Sequence, residues 1–405
     1  MTAIKQAAPV QQTAHRIASD EEALAVARQF AERFAVGAAW RDSERQLPWA
    51  ELDSYSQSGL WGITVPREYG GAGVSHVTLA EVIAIISAAD GSLSQIPQNH
   101  YYALEVLRVG GSEAQKQFFY RLALDGHRFG NALAEIGHKD FKRRTRIEAD
   151  GDGYRINGKK FYCTGAIFAH WIPTLVVDEH EDSYLAFVPR HSEGITITDD
   201  WDGFGQRVTG SGSVEFRQVR VQPEWLVPFK ASFDRPTTIG PFAQLLHCAI
   251  DIGQARGAYG ETLHYIRDFA RPWIDAGVEQ ASQDPLLLER LGRLHVRVHA
   301  AQSLLQRAGR VLDQLYEAPL HAAEAIAQAS VAVAEAKVLT TEVALLAGNQ
   351  LFELAGTSAT QGGRNLDRYW RNARTHTLHD PVRWKFHAIG NYYLNDVLPP
   401  RHGAL

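Results

Sequence analysis

The sequence predicts an α+β chain in three parts: helices, then a β-rich middle, then helices again. Three observations predict it. Within 131–227, Gly151-Asp152-Gly153 and Asn157-Gly158 are tight-turn signals between short apolar runs at 160–163, 173–177 and 184–188, and 214–221 alternates partner types as a half-buried strand does. Upstream, Ser19 with Glu22 and Ser112 with Gln115 have the spacing of capping boxes, which open helices. Downstream, 319–353 is rich in alanine with polar residues spaced to leave one narrow apolar stripe. The expected parts are 1–128, 129–232 and 233–405.

In order, the first capping box opens an amphipathic helix to about Phe34. Gly70, Gly71 and Gly73 after Pro66 make a loop, because they permit backbone angles other residues avoid. Helices follow at 75–88 and 97–108, and a fourth runs from the second capping box towards Leu124. After the β-region, 240–269 is helical by periodicity. Asp284-Pro285 places a capping acid before a proline at the first helical position, opening a helix to about Tyr316. Small side chains let helices approach closely, so the C-terminal part reads as an antiparallel bundle with tight seams.

The 405 residues are enough for a large core in two or three sub-domains. A net charge of −5 gives no general attraction for nucleic acid or an anionic membrane. No uncharged apolar run is long enough to span a bilayer, and the first fifteen residues lack a signal-peptide core, so a cytoplasmic protein is expected. Two cysteines, Cys163 and Cys248, make neither a disulfide framework nor a metal cluster, and no metal is expected.

Four stretches carry a resemblance: VPREYGGAG, INGKKFYCTGA, WDGFGQRVTGSGSVEF with its following VRV, and LAGTSATQGGRNLDRYWRNAR. In type and order they resemble the acyl-CoA dehydrogenase superfamily of flavoproteins, over nearly the whole chain. The resemblance implies an acyl-CoA dehydrogenase-like fold: an N-terminal helical domain, a central β-barrel domain and a C-terminal four-helix bundle. It implies a homo-oligomer, a dimer or tetramer with the tetramer expected, and a flavin between β-domain and bundle that a neighbouring subunit helps complete.

The departures point to one branch. Acyl-CoA dehydrogenases need a carboxylate of matched pKa to remove a proton from carbon. Here RNAR is followed by THTLHDP, with two histidines and an aspartate but no glutamate, and 243–245 also lacks a carboxylate. THTLHDP after RNAR resembles the flavin-dependent monooxygenase branch, among dibenzothiophene monooxygenases and Sfn-type sulfur-acquisition oxidoreductases. That resemblance implies a two-component system in which a separate flavin reductase supplies reduced FMN. With oxygen, the reduced FMN oxygenates a small or aromatic organosulfur compound. An FAD-containing dehydrogenase using Asp380 as base, and a catalytically silent flavoprotein, remain as alternatives.

On the same resemblance, His379 is the first catalytic candidate, since an imidazole changes charge near neutral pH. His376 shares the role or orients the loop, and His100 in QNHYYALE points into the substrate pocket or sits as a core histidine. Asn131 has an amide with donor and acceptor for the flavin edge. Thr164 matches the hydroxyl residue beside the ring, with Gly165 letting the backbone approach. Cys163 beside it reads as packing. Trp201 helps wall the pocket. Arg271 in RDFARPW resembles an arginine that reaches a flavin phosphate, for which the guanidinium fork suits, and Ser358 lies in a loop able to bind that phosphate. The basic run of Lys139, Lys142, Arg143, Arg144 and Arg146 reads as a solvated edge, or as a rim that draws in FMN or meets the reductase.

Overall fold

A computed structural model describes residues 14–137, 142–317 and 322–405. Helix α1 (Asp20–Ala35) buries Ala23, Ala27, Phe30 and Phe34, one stripe at helical spacing. Its capping box is half formed: Ser19 accepts the Glu22 N–H, but the Glu22 carboxylate takes the Ala18 N–H and pairs with His15 instead of reaching back to residue 19. The short helices α2 (Ala38–Ser43) and α3 (Trp49–Gln57) follow, then α4 (His76–Ala89), α5 (Gln95–Gly110) and α6 (Glu113–Leu124). The reciprocal capping box expected at Ser112 and Gln115 is complete and opens α6.

Among the described residues the middle carries seven strands: β1 (Arg146–Asp150), β2 (Gly153–Lys160), β3 (Trp171–Val177), β4 (Ser183–Pro189), β5 (Ile195–Thr198), β6 (Ser213–Val221) and β7 (Leu226–Pro228). They form one mixed sheet in the order β5-β6-β2-β1-β3-β4-β7, antiparallel except where β1 meets β3. Ile147, Ile156, Ile172, Val176, Ala186, Val188, Val214, Phe216, Val219 and Val221, with Ile195, Ile197 and Leu226 at the margin, pack into a single cluster. All seven strands therefore turn side chains to one interior, which is the barrel-like character of the domain.

Two expectations inside the β-region are corrected. Gly151 and Asp152 do turn β1 into β2, but Asn157-Gly158 is a bulge inside β2, where the pairing with β6 shifts register. Asn157 Oδ1 accepts the Gln218 N–H at 2.8 Å, supplying a partner that the ladder lacks there. Of the run 160–163, only Lys160 belongs to a strand, at the end of β2, and Phe161 makes a single bridge to Ala134. The chain leaves the sheet after Lys160 because Tyr162 takes a positive φ of 54°, and this turn presents Cys163 to the barrel interior.

The last third holds three long helices, α7 (Ile239–Asp268), α8 (Pro285–Glu317) and α9 (Ala323–Ala355), then α10 (Asp367–His376) and α11 (Arg383–Asn395). Asp284 Oδ1 accepts the N–H groups of Leu286 and Leu287 and so caps α8, as its sequence predicts. One core runs from α1 and α4 through α7, α8 and α9, so the N-terminal helices and the bundle are not separately packed. Close approach makes this possible. A Cβ on Gly253 of α7 would lie 2.5 Å from the Ala84 carbonyl oxygen of α4, and Ser87 donates to the Ile250 carbonyl at 2.8 Å.

Candidate active site

The site begins where three segments meet. Gly130 and Ala132 donate to the carbonyls of Trp171 and Pro173 on β3, which fixes the 128–134 segment along the sheet. Gly165 turns the chain with φ +74°, and a Cβ there would lie 3.2 Å from Ile96 Cγ2 and 4.0 Å from Gly130 Cα. The first turn of α5, the 128–134 segment and the Thr164-Gly165 corner are therefore in contact.

From this corner a line of polar groups runs into the helices. Thr164 Oγ1 lies 2.7 Å from Ser211 Oγ, which lies 2.7 Å from Thr209 Oγ1, and Thr209 donates to the Gln206 carbonyl at 3.0 Å. Because each hydroxyl has one proton, this direction makes Ser211 donate to Thr209 and Thr164 donate to Ser211. Thr164 is left with acceptor capacity only. The Gln206 backbone N–H donates to Asn372 Oδ1 at 2.6 Å, and its side chain to the Gly91 carbonyl at 3.2 Å. Trp201 Nε1 donates to the Gln206 carbonyl at 3.0 Å, which joins Trp201 to this line.

Along the same surfaces lie buried amide atoms with no hydrogen-bond partner among the described residues: Gln95 Oε1, Asn131 Oδ1, and both Oε1 and Nε2 of Gln254. Gln254 belongs to the line, because its Nε2 lies 3.2 Å from where a Cβ on Gly91 would sit. Leaving such an atom unpaired costs about 1–3 kcal/mol. Acceptors at Asn131, Gln95 and Thr164, with a donor and acceptor at Gln254, fit the alternating donors and acceptors of a flavin ring edge.

Asn372 lies one turn before His376 on α10, and His376 opens a second cluster. Asp251 on α7 accepts from Lys337 Nζ of α9 at 2.6 Å and from Thr341 Oγ1 at 3.1 Å, and His376 Nδ1 lies 2.5 Å from its other oxygen. His376 Nε2 lies 3.0 Å from His247 Nδ1. The His247 ring is 4.0 Å from that of His379, whose Nδ1 faces Asp380 Oδ1 at 2.9 Å. Asp380 in turn accepts from Lys385 at 2.6 Å, and Lys385 also donates to the Ala404 carbonyl in the C-terminal segment. His379 is half exposed, whereas Lys337, Asp251, His376 and His247 are buried.

Burial drives the His247 imidazole well below its usual value, helped by the charges of His379, His376 and Lys337. Burial also lowers His376, against the pull of Asp251. For both carboxylates burial works upward but loses. Lys337 and His376 hold Asp251 down, and His379, Lys337, His247 and Lys385 hold Asp380 well below the carboxylate range.

The sequence candidates divide. His376 and His379 are brought together, Thr164 and Trp201 lie on the polar line, and Gly165 lies at its start beside the segment that carries Asn131. His100 lies elsewhere: its Nε2 faces the Trp61 carbonyl at 2.8 Å, its Nδ1 accepts the Phe129 N–H at 3.1 Å, and burial pushes it down to about 3. This is a core histidine with both nitrogens engaged by backbone, holding α5 to the segment that carries Asn131. Arg271 is exposed beyond the end of α7, and Ser358 Oγ lies 2.8 Å from Tyr265 Oη near that same end. Residues 254 and 265 of a straight helix are about 16 Å apart, so within one chain these two stand away from Thr164. Cys163 is a packed thiol, pushed up to about 12 by burial. In the basic run, Lys139 lies outside the described residues, Arg143 reaches the Leu133 carbonyl, and Arg146 pairs with Glu181.

Sequence reading missed His247, Asp251, Gln254 and Lys337. A signal existed: HCAID sets a histidine and an aspartate one turn apart, inside an otherwise apolar helix.

Three family models match: the acyl-CoA dehydrogenase N-terminal domain over 18–127, middle domain over 137–219 and C-terminal domain over 245–384. The chain is 33% identical to the dibenzothiophene monooxygenase of Rhodococcus erythropolis, over 95% of this chain and 96% of that protein. It is 34% identical to the probable FMNH2-dependent monooxygenase SfnC of Pseudomonas putida, over 93% and 96% of the two chains. The crystal structure of FMN-bound TdsC from Paenibacillus sp. A11-2 superposes with a TM-score of 0.91 at 32% identity, over 95% of this chain and all of that one. The chain therefore belongs to the acyl-CoA dehydrogenase family, in its branch of flavin-dependent monooxygenases.

Proposed function

We propose that this protein is the oxygenase of a two-component system, taking reduced FMN from a separate flavin reductase to oxygenate a small or aromatic organosulfur compound. The observation that supports it most is the His379 environment, where a dehydrogenase would place a free carboxylate. Reduced FMN, when bound, supplies two electrons, so that one atom of dioxygen goes to sulfur and the other leaves as water. The polar line from Thr164 to Gln254 orients the ring edge. His379, with Nδ1 held by Asp380, carries protons on Nε2 to the departing oxygen, and His376 is fixed by Asp251. Trp201 helps exclude water.

The alternative of a dehydrogenase with Asp380 as base is disfavoured by its partners. That carboxylate accepts from both His379 and Lys385 and is held ionised, so it makes a weak base. FMN, not FAD, is the cofactor assigned to the site. Arg271 and Ser358 are assigned to the flavin phosphate of a neighbouring subunit, and a homotetramer is the proposed assembly. Exposed apolar side chains at Trp273, Ile274, Leu286, Trp384 and Leu394 support subunit contacts. Domain limits at 128/129 and 232/233 complete the proposal. A cytoplasmic location is supported by two free cysteines.

The test is a panel of sulfides, sulfones and thiophenes with reductase, FMN, NADH and oxygen, read by mass spectrometry. Addition of one oxygen is expected, and His379→Ala should lower the rate by about 10²–10⁴-fold. Tightly held FAD that bleaches anaerobically with an acyl thioester, or an unchanged rate in His379→Ala, overturns the proposal.

A further inference from the structure

The cluster behind His379 contains more ionisable groups than the reaction just described uses. Lys337 and Asp251 form an ion pair with both side chains buried, an arrangement that is a poor source of stability. Beyond His376, the described partners of Asp251 are Lys337 and Thr341, both buried. A path that dead-ends on a buried lysine does not conduct protons to solvent. It can fix orientation and charge.

Asp251, as a carboxylate, only accepts, so His376 Nδ1 carries a proton towards it. A neutral His376 then presents the Nε2 lone pair to His247, and His247 Nδ1–H donates at 3.0 Å. Each member thus sets the tautomer of the next, as the carboxylate of a triad orients its imidazole. Lys337 cancels the charge of Asp251, which removes the reason for His376 to take a second proton. The outcome is an uncharged imidazole, His247, whose ring centre lies 4.0 Å from that of the half-exposed His379 at a tilt of 35°.

We propose that Lys337, Asp251, His376 and His247 form a positioning chain that keeps the ring beneath His379 neutral, so that His379 alone of the three imidazoles exchanges protons during turnover. A positive charge at His247 would oppose one on His379 at that distance. The remaining charged or titratable groups around His379 are Asp380 in its own loop, Lys385 on α11, and His402 of the C-terminal segment, which faces Asp380 and Lys385. The buried chain fixes the tautomer of the ring that His379 faces, and the charge of Asp380 also acts on that ring. The catalytic part of this inference rests on the monooxygenase reading; the charge arrangement does not.

The test uses the full chain free of flavin, with histidine ring signals followed by NMR from about pH 5.5 to 8.5, the range in which an imidazole ordinarily changes charge. In the wild type the His247 and His376 signals should stay fixed across this range. Lys337→Met leaves Asp251 unopposed, draws a proton onto His376 or His247, and should make one of their signals titrate within it. The double variant Lys337→Met with Asp251→Asn removes both charges and should return both signals to wild-type behaviour. A merely structural role predicts that the double variant is worse than the single one. Titration of His247 in the wild type, or no recovery in the double variant, overturns the inference. The same variants assayed with reductase separate the two readings. Recovery of the His247 and His376 signals without a matching recovery in the pH profile of kcat would retain the charge arrangement and remove His379 from the chemistry.

Discussion

Asp251 Oδ1 sits 2.5 Å from His376 Nδ1, joining the first half of α7 to the last turn of α10 across 125 residues of sequence. That contact ties the polar line that begins at Thr164 to the histidine cluster, because Asn372 of the same helix holds the Gln206 backbone at 2.6 Å. A shift of α10 would move both at once.

Stability should fall on acidification, and the sign follows from three lowered imidazoles. His100, His247 and His376 are each held below the ordinary value by burial, so between their folded values and about pH 6.5 the unfolded chain binds more protons. Their contribution is complete above that pH and is lost as pH falls below it, at up to about 1.4 kcal/mol per pH unit for each group. The lowered Asp251 and Asp380 lose theirs only at more acid pH, below about 4. Urea denaturation at pH 7 and pH 5 should show the drop, and His100→Asn should lessen its slope by about 1.4 kcal/mol per unit. A flat profile would contradict the burial argument.

Gly165→Ala should destabilise the protein by about 1–2 kcal/mol, because the left-handed conformation brings a Cβ against the backbone. Its new methyl would also press on Ile96 Cγ2, 3.2 Å away, in the first turn of α5. Denaturation reads the first effect, and titration of FMN fluorescence reads the second as weakened binding.

Thr164→Val keeps the shape of the side chain but ends the hydroxyl chain to Ser211 and removes an acceptor from the corner. A hydrogen bond is worth about 1 kcal/mol net, so FMN binding should weaken by about fivefold. Equal affinity in the variant would place the flavin edge away from Thr164.

Much of the fold is visible in local pattern. The stripe of Ala23, Ala27, Phe30 and Phe34, the Ser112–Gln115 cap and the Asp284-Pro285 start each state their element within one or two turns of chain. Asn157-Gly158 shows the limit. The same dipeptide makes a turn or a bulge, and the choice lay with Gln218, whose N–H needed the Asn157 side chain.

The site is less local still. THTLHDP marked His376 and His379 because they lie three residues apart in one short segment that resembles a known branch of the family. By itself the sequence determined the order of helix and strand and the absence of a glutamate after RNAR. Only the tertiary structure decided that His100 is a core histidine, that Arg271 and Ser358 stand apart from Thr164, and that His247, Asp251 and Lys337 lie behind His379. Side-chain periodicity reports which face of an element is buried, whereas a charge network depends on how α7, α9 and α10 are set against one another, which no single stretch of chain encodes.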